Sequence, residues 1–205
     1  MNGALVLQVQ NNYSFDIRIV NDMKIKKYLI FLFFLLFCSS TFANTKIISA
    51  LEEGGKLIFI RHAYAPGGGD PDNFDVKNCS TQRNLDTVGV KQAKRIGQFF
   101  RDNKISIDLV LSSEWCRCKS TAKNAFENYK TFNALNSFFS SNFAKNRDKQ
   151  MKDLKSFIKS WNSKKNIVFV THYVVISEVL NTTASSGTII VADKNFKVIG
   201  TIETN

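Results

Sequence analysis

Apolar and polar positions follow two rhythms along this chain. The runs Leu57-Ile58-Phe59-Ile60 and Ile167-Val168-Phe169-Val170 are uninterrupted, β-branched and aromatic, and read as strands buried on both faces. Between them, Gly89, Ala93, Ile96, Gly97 and Phe100 recur at helical spacing behind a cap at Asp86 or Thr87. Cys118, Ala122, Ala125 and Phe126 do the same in a helix predicted from about Glu114 to Tyr129, and Met151, Leu154, Phe157, Ile158 and Trp161 mark another. A helix over Asn44 to Glu53 should end at Gly54-Gly55. Strands are expected at Lys56 to Ile60, Ile107 to Leu111 and Ile167 to Val170, with a shorter one at Thr131 to Ala134. Asn136 to Asn146 reads as irregular and Val174 to Leu180 as a short helix. Thr188 to Ala192 and Val198 to Ile202 flank Asp193-Lys194-Asn195 as a closing hairpin. Strands alternating with helices predict an α/β fold whose mostly parallel sheet is covered on both faces.

The N-terminal part has a different texture. Met23 to Lys27 is basic, and Tyr28 to Phe37 is ten apolar residues without a break. Small residues follow at Thr41 and Ala43. This is the n-region, h-region and cleavage site of a secretory signal peptide, expected to be cut after Ala43. The apolar run is shorter than the roughly 20 residues of a membrane-spanning helix. Met23 is the expected start, residues 1–22 an upstream extension and residues 44–205 the exported domain, periplasmic or secreted.

The 205 residues carry a formal net charge of +11, and removing residues 1–43 leaves the basic excess in place. A basic surface attracts anions such as phosphates or the lipids of a cell envelope. No nucleic-acid-binding signature accompanies it, so nucleic acid is not an expected partner. Peripheral contact with anionic envelope lipid is compatible with the charge. Three cysteines follow the signal: Cys79, Cys116 and Cys118. In an oxidising compartment two would pair, Cys79 with either Cys116 or Cys118. Cys116-Arg117-Cys118 lacks zinc-ligand partners at matching spacing, and no metal site is expected.

The candidate chemistry sits where strands end. The chain has two histidines, and each closes a strand run: Arg61-His62 after the first, Thr171-His172 after the later one. Ligands in α/β sheets bind outside the carboxyl ends of strands, so two such histidines can meet over one pocket. Arg117 lies just past a third strand end, near a helix start. Two guanidinium groups, two imidazoles and a helix N-terminus form a pocket suited to a dianionic phosphoryl group. The loop from Arg61 to Ser80, with Pro66, Gly67, Gly68, Gly69 and Pro71, is long enough to suggest function.

These residues resemble those of the histidine phosphatase superfamily (phosphoglycerate mutase-like), in a short exported form. Arg61-His62-Ala63 is similar to its Arg-His-Gly signature, and Ser113-x-x-x-Arg117-x-x-x-Thr121-Ala122 to its second. Leu85 through Gly89 and Gln92-Ala93 match its first long helix, and Thr171-His172 its late histidine. The resemblance covers about Lys56 to the C-terminus. It implies a three-layer α/β/α sandwich and a metal-independent, cofactor-free phosphatase acting on a small phosphorylated substrate. His62 would form a phosphohistidine, with Arg61, Arg117 and His172 binding the phosphoryl oxygens. Arg83 would extend the phosphate site or contact substrate.

Some positions depart from the pattern. Ala63 replaces Gly, and Tyr173 follows the late histidine in place of an acid. Where the family often places an acidic proton donor, this chain has Asn136. Asp70, Asp72, Asp75 and Glu114 remain as donor candidates. Phe132, Phe138, Phe139 and Phe143 form either a cap over the pocket or ordinary core. The rival reading is a non-catalytic protein of the cell envelope that binds phosphate or a phospho-sugar. A secreted phosphoglycerate mutase is disfavoured by the short chain.

Overall fold

The computed structural model describes residues 45–204; the expected extension and signal segment lie outside them. Helix α1 covers 45–53 and ends at Gly54 and Gly55, both with positive φ. Six strands follow: β1 (Leu57–Arg61), β2 (Ile107–Ser112), β3 (Lys130–Thr131), β4 (Asn166–Thr171), β5 (Ile189–Ala192) and β6 (Val198–Ile202). The helices are α2 (Thr87–Asp102), α3 (Cys116–Phe126), α4 (Ser141–Ala144), α5 (Arg147–Ser160) and α6 (Tyr173–Leu180). The sheet order is β3-β2-β4-β1-β5-β6. β3, β2, β4 and β1 run parallel, and β5 and β6 close the edge as an antiparallel hairpin.

The unbroken apolar runs are explained by two cores. Side chains alternate across a strand. Leu57 and Phe59 of β1, with Ile167 and Phe169 of β4, enter one core, closed by Met151, Leu154 and Ile158 of α5 and Val175 and Ile176 of α6. Ile58, Ile60, Val168 and Val170 enter the other, closed by Leu51 of α1, Ile96 and Phe100 of α2, and Cys118 and Ala122 of α3. The result is the three-layer α/β/α sandwich. Phe59 and Phe169 stack at 4.8 Å across the central pair. Truncating either to Ala should destabilise the fold by about 3–5 kcal/mol.

The Asp86 carboxylate accepts the Gly89 amide at 2.8 Å and so caps α2. Two glycines of α2 are required by close approach. A methyl at Gly89 would run into the Tyr64 carbonyl, and one at Gly97 into the Ala125 backbone of α3.

Three expectations shift, the first being that Ser141–Ala144, within the segment expected to be irregular, forms the short helix α4. α3 starts at Cys116 and stops at Phe126, because Glu127 turns to φ +64°. The strand expected at Thr131 to Ala134 is only Lys130–Thr131; a 3-10 turn at Asn133–Leu135 then drops Ala134 and Leu135 into the first core. Burial of those two side chains outweighs further edge pairing.

Candidate active site

Parallel pairing sets the site. Arg61 of β1 is in register with Thr171 of β4, and Ser112 of β2 with Val170. Pairing continues past the strand ends: the His62 amide donates to the Thr171 carbonyl, and the Ser113 amide to Val170, each at 2.9 Å. His62, Ser113 and His172 are thus side by side at the carboxyl edge, the place open α/β sheets use for ligands. The two imidazoles lie 5.5 Å apart, centroid to centroid, and each residue is 2 % exposed.

They line one cavity of about 550 Å³ together with Arg61, Arg83, Arg117 and Asp70. Thr121 ties this floor together. Its hydroxyl donates to the Arg117 carbonyl at 2.7 Å and accepts the Ala63 amide at 2.9 Å. Gln92 performs a similar task, accepting from the Tyr64 amide and donating to the Ser186 carbonyl, both at 2.8 Å.

The two histidines are held by different partners. His62 Nδ1 is 2.8 Å from the Ala63 carbonyl, which can only accept. Nδ1 therefore carries the proton, and Nε2 keeps its lone pair. His172 Nε2 is 2.9 Å from the Ser113 hydroxyl. That hydroxyl donates to Asn136 Oδ1 at 3.1 Å, and Asn136 is oriented by Glu114 through its backbone amide at 2.8 Å and its carboxylate at 2.6 Å. The Ser113 hydroxyl, which also accepts the Trp115 amide at 3.2 Å, thus bridges His172 Nε2 and Asn136 Oδ1. Burial, then the charge of Arg117, holds both imidazoles well below 6.5, and they are neutral at pH 7.

Arg117 is almost fully buried. Its Nη1 and Nη2 donate to the two oxygens of Asp70 at 2.7 and 3.1 Å. Asp70 also accepts from the Arg83 amide at 3.0 Å and Trp115 Nε1 at 3.1 Å. Burial pushes its carboxyl up, but the Arg117 hydrogen bonds and charge prevail and hold it below the ordinary 3.8. The end-on pair leaves the Nε edge of Arg117 free. Nε of Arg117 and Nε of Arg61 are both buried without a hydrogen-bond partner. Buried donors are nearly always satisfied, and these two belong to side chains that line the histidine cavity. Arg61 is fixed by Nη1 donating to the Ala184 carbonyl at 2.8 Å, and burial lowers its pKa. Arg83 donates Nε to the Gly69 carbonyl at 3.0 Å and Nη1 to the Ala65 carbonyl.

The sequence-predicted residues therefore divide. His62, His172, Arg61, Arg117, Arg83, Asp70 and Asp72 line the one cavity. Asp75 and Glu114 line a neighbouring cavity of about 490 Å³ across a wall of Phe74, Trp115 and Phe143. Of the four phenylalanines, Phe139 and Phe143 line the histidine cavity, Phe138 is core, and Phe132 packs against core. Cys79 pairs with Cys116, fastening the loop to the start of α3, and Cys118 is free and buried. The sequence reading missed the structural roles of Ser113, Thr121, Gln82, Gln92 and Asn136. Gln92 carried a signal, being polar beside the apolar face of α2. Among the described residues no group of three or more His, Cys, Asp or Glu side chains is placed to hold a metal ion.

No family model matches the sequence, and no curated protein is similar to it by sequence. Solved structures do match in fold. The protein histidine phosphatase SixA complexed with tungstate aligns at TM-score 0.53 and 12 % identity, over 73 % of this chain and 97 % of its own. An Agrobacterium tumefaciens protein assigned as a phosphohistidine phosphatase SixA aligns at 0.53 and 18 % identity, over 74 % and 99 %. An Escherichia coli protein assigned as an alpha-ribazole-5'-P phosphatase aligns at 0.53 and 16 % identity, over 67 % and 90 %. The fold is the one these structures share, a phosphoglycerate mutase-like three-layer α/β/α sandwich.

Proposed function

We propose that this protein is an exported phosphatase that needs no metal and works through a phosphohistidine on His62. The observation that carries the reading is the pair of orphaned Nε donors beside two neutral buried imidazoles. Tungstate, bound in the SixA neighbour, is a tetrahedral oxyanion of the kind such a site would accept.

In the first step the lone pair of His62 Nε2 attacks phosphorus, a P–N bond forms, and the P–O bond to the leaving group (or the P–N bond of a phosphoramidate already protonated on its leaving nitrogen system) breaks, its electron pair going to the leaving atom. Arg61 and Arg117 take up the charge on the phosphoryl oxygens. In the second step water attacks phosphorus, the P–N bond to His62 breaks, and inorganic phosphate departs. Asp70, held as a carboxylate, is a poor acid for the leaving group. The reading therefore favours leaving groups that are stable as anions, such as those of acyl phosphates and aryl phosphates; a phosphoramidate would have to bring its own proton on the leaving nitrogen system. Export is supported by the signal-like N-terminus and by the Cys79–Cys116 bond, since disulfides persist in oxidising compartments.

The test is hydrolysis of p-nitrophenyl phosphate by the purified protein, beside His62→Ala, with and without EDTA. Activity that survives EDTA and disappears in His62→Ala is the expected result. The pairing of Asp70 with Arg117 favours one second reading, a phosphate-binding protein without turnover. It predicts phosphate-dependent thermal stabilisation with no hydrolysis of any ester.

A further inference from the structure

The cavity is larger than its cationic floor. Four large hydrophobic side chains are notably exposed among the described residues: Tyr64 at 44 %, Val88 at 54 %, Phe139 at 67 % and Tyr173 at 38 %. Scattered exposed hydrophobics are ordinary, but a cluster signals recognition. Three of these four line the histidine cavity. Phe139 and Tyr173 lie 5.7 Å apart at a 57° tilt, and the Arg61 guanidinium sits 5.3 Å from the Tyr173 centroid. The guanidinium fixes Tyr173, while Phe139 remains mostly in water. The volume of about 550 Å³ falls in the range of pockets that engulf a whole small molecule, well beyond one phosphoryl group.

The charges narrow the ligand further. No lysine lines this cavity, although the chain is strongly basic. Its three arginines face the floor or bind loop carbonyls, and Asp72 adds a negative charge at the exposed side. On the exposed side, a leaving group bearing a second phosphate or a carboxylate would meet one anion and one cation, Arg83, whose Nε and Nη1 are already committed to the Gly69 and Ala65 carbonyls.

We propose that the leaving group of the substrate is an uncharged ring with an apolar face, packed against the exposed aromatic side chains Tyr64, Phe139 and Tyr173 that line the cavity. This rests on the phosphatase reading for the orientation of the ligand, phosphoryl group inward and ring outward. Aromatic and pyranose rings share that face, and of the two the aromatic ring also meets the leaving-group preference above.

The test uses non-hydrolysable phosphonates on the wild-type protein, with binding measured by calorimetry, so that it does not depend on turnover. The probes are ethylphosphonate, benzylphosphonate, the methylenephosphonate isostere of glucose 6-phosphate, and phosphonoacetate. At least one ring compound should bind about tenfold tighter than ethylphosphonate, and phosphonoacetate no tighter than it. Which ring compound gains separates an aryl from a sugar leaving group. The ratio of ring to ethyl affinity should fall toward one in Phe139→Ala and in Tyr64→Ala, and persist in Val88→Ala, which is exposed but off the cavity. Equal affinities for ring and ethyl compounds, a ratio that survives both aromatic substitutions, or tightest binding of phosphonoacetate would each overturn the proposal. Loss of p-nitrophenyl phosphate hydrolysis alongside a retained ring preference would instead strike the phosphatase reading alone.

Discussion

The surroundings of His62 and those of His172 are the instructive pair. Each histidine follows a central parallel strand, each is buried to 2 % exposure, and the two strands are neighbours in register. Backbone placement therefore does not distinguish them. The partner of the second ring nitrogen does. His62 is backed by a carbonyl, which fixes Nδ1–H and leaves Nε2 nucleophilic. His172 is backed by the Ser113 hydroxyl, itself fixed by Asn136 and Glu114. One hydrogen bond makes a nucleophile; a chain of hydrogen bonds makes an oriented, edge-on neighbour for the phosphoryl group.

The largest effect should come from removing the nucleophile. His62→Ala should lower kcat by about 10⁴-fold or more, and no acid-labile phosphoenzyme should form from a ³²P-labelled substrate. His172→Ala should lose about 10² to 10³-fold yet still trap label. Label trapped in His62→Ala but not in His172→Ala would reverse the assignment.

Next in size is the response to pH. Both imidazoles have folded pKa values depressed below 6.5, so the unfolded chain binds more protons below that pH. Their contribution is fully present above pH 6.5 and is lost as pH falls from there toward the folded values. The loss reaches at most about 1.4 kcal/mol per pH unit for each histidine. Denaturant titrations from pH 7.5 to 5 should show it, and His172→Asn should about halve the slope. An unchanged slope would mean that His172 is not buried neutral.

Smaller effects test the supports. Asp70→Asn removes the charge that holds Arg117 end-on. It should raise KM for p-nitrophenyl phosphate about tenfold with a lesser change in kcat. Ser113→Ala frees His172 Nε2 and should lower kcat about three- to tenfold, while the His62 phosphoenzyme still forms. A Ser113→Ala enzyme with wild-type kinetics would remove the hydroxyl chain from the account.

The fold was well legible because its determinants are periodic. The continuous runs of β1 and β4 could only be satisfied on two faces, and the α2 face named from spacing is buried as a set. The four residues of the histidine and arginine floor were legible because they follow strand ends or a helix start. Partnerships across sequence were not. The Asp70–Arg117 ion pair spans 47 residues inside a loop rich in turn formers, where any of three aspartates looked equivalent. Gln82 gave no signal for capping the Cys116 amide at 2.8 Å. Phe138 and Phe139 are adjacent yet one is core and the other faces solvent, a distinction set by the Asn133–Leu135 turn upstream.

Among the described residues the Cys79–Cys116 bond has one neighbouring thiol that could exchange with it. Cys118 lies two residues from Cys116 on α3, close enough in sequence to compete for Cys79. Burial pushes its thiol up to about 12. At neutral pH the attacking thiolate would then be on the order of 10⁻⁵ of the population. The finished fold thus silences the free thiol beside its disulfide, and the Cys79–Cys116 pairing is sealed once α3 has docked.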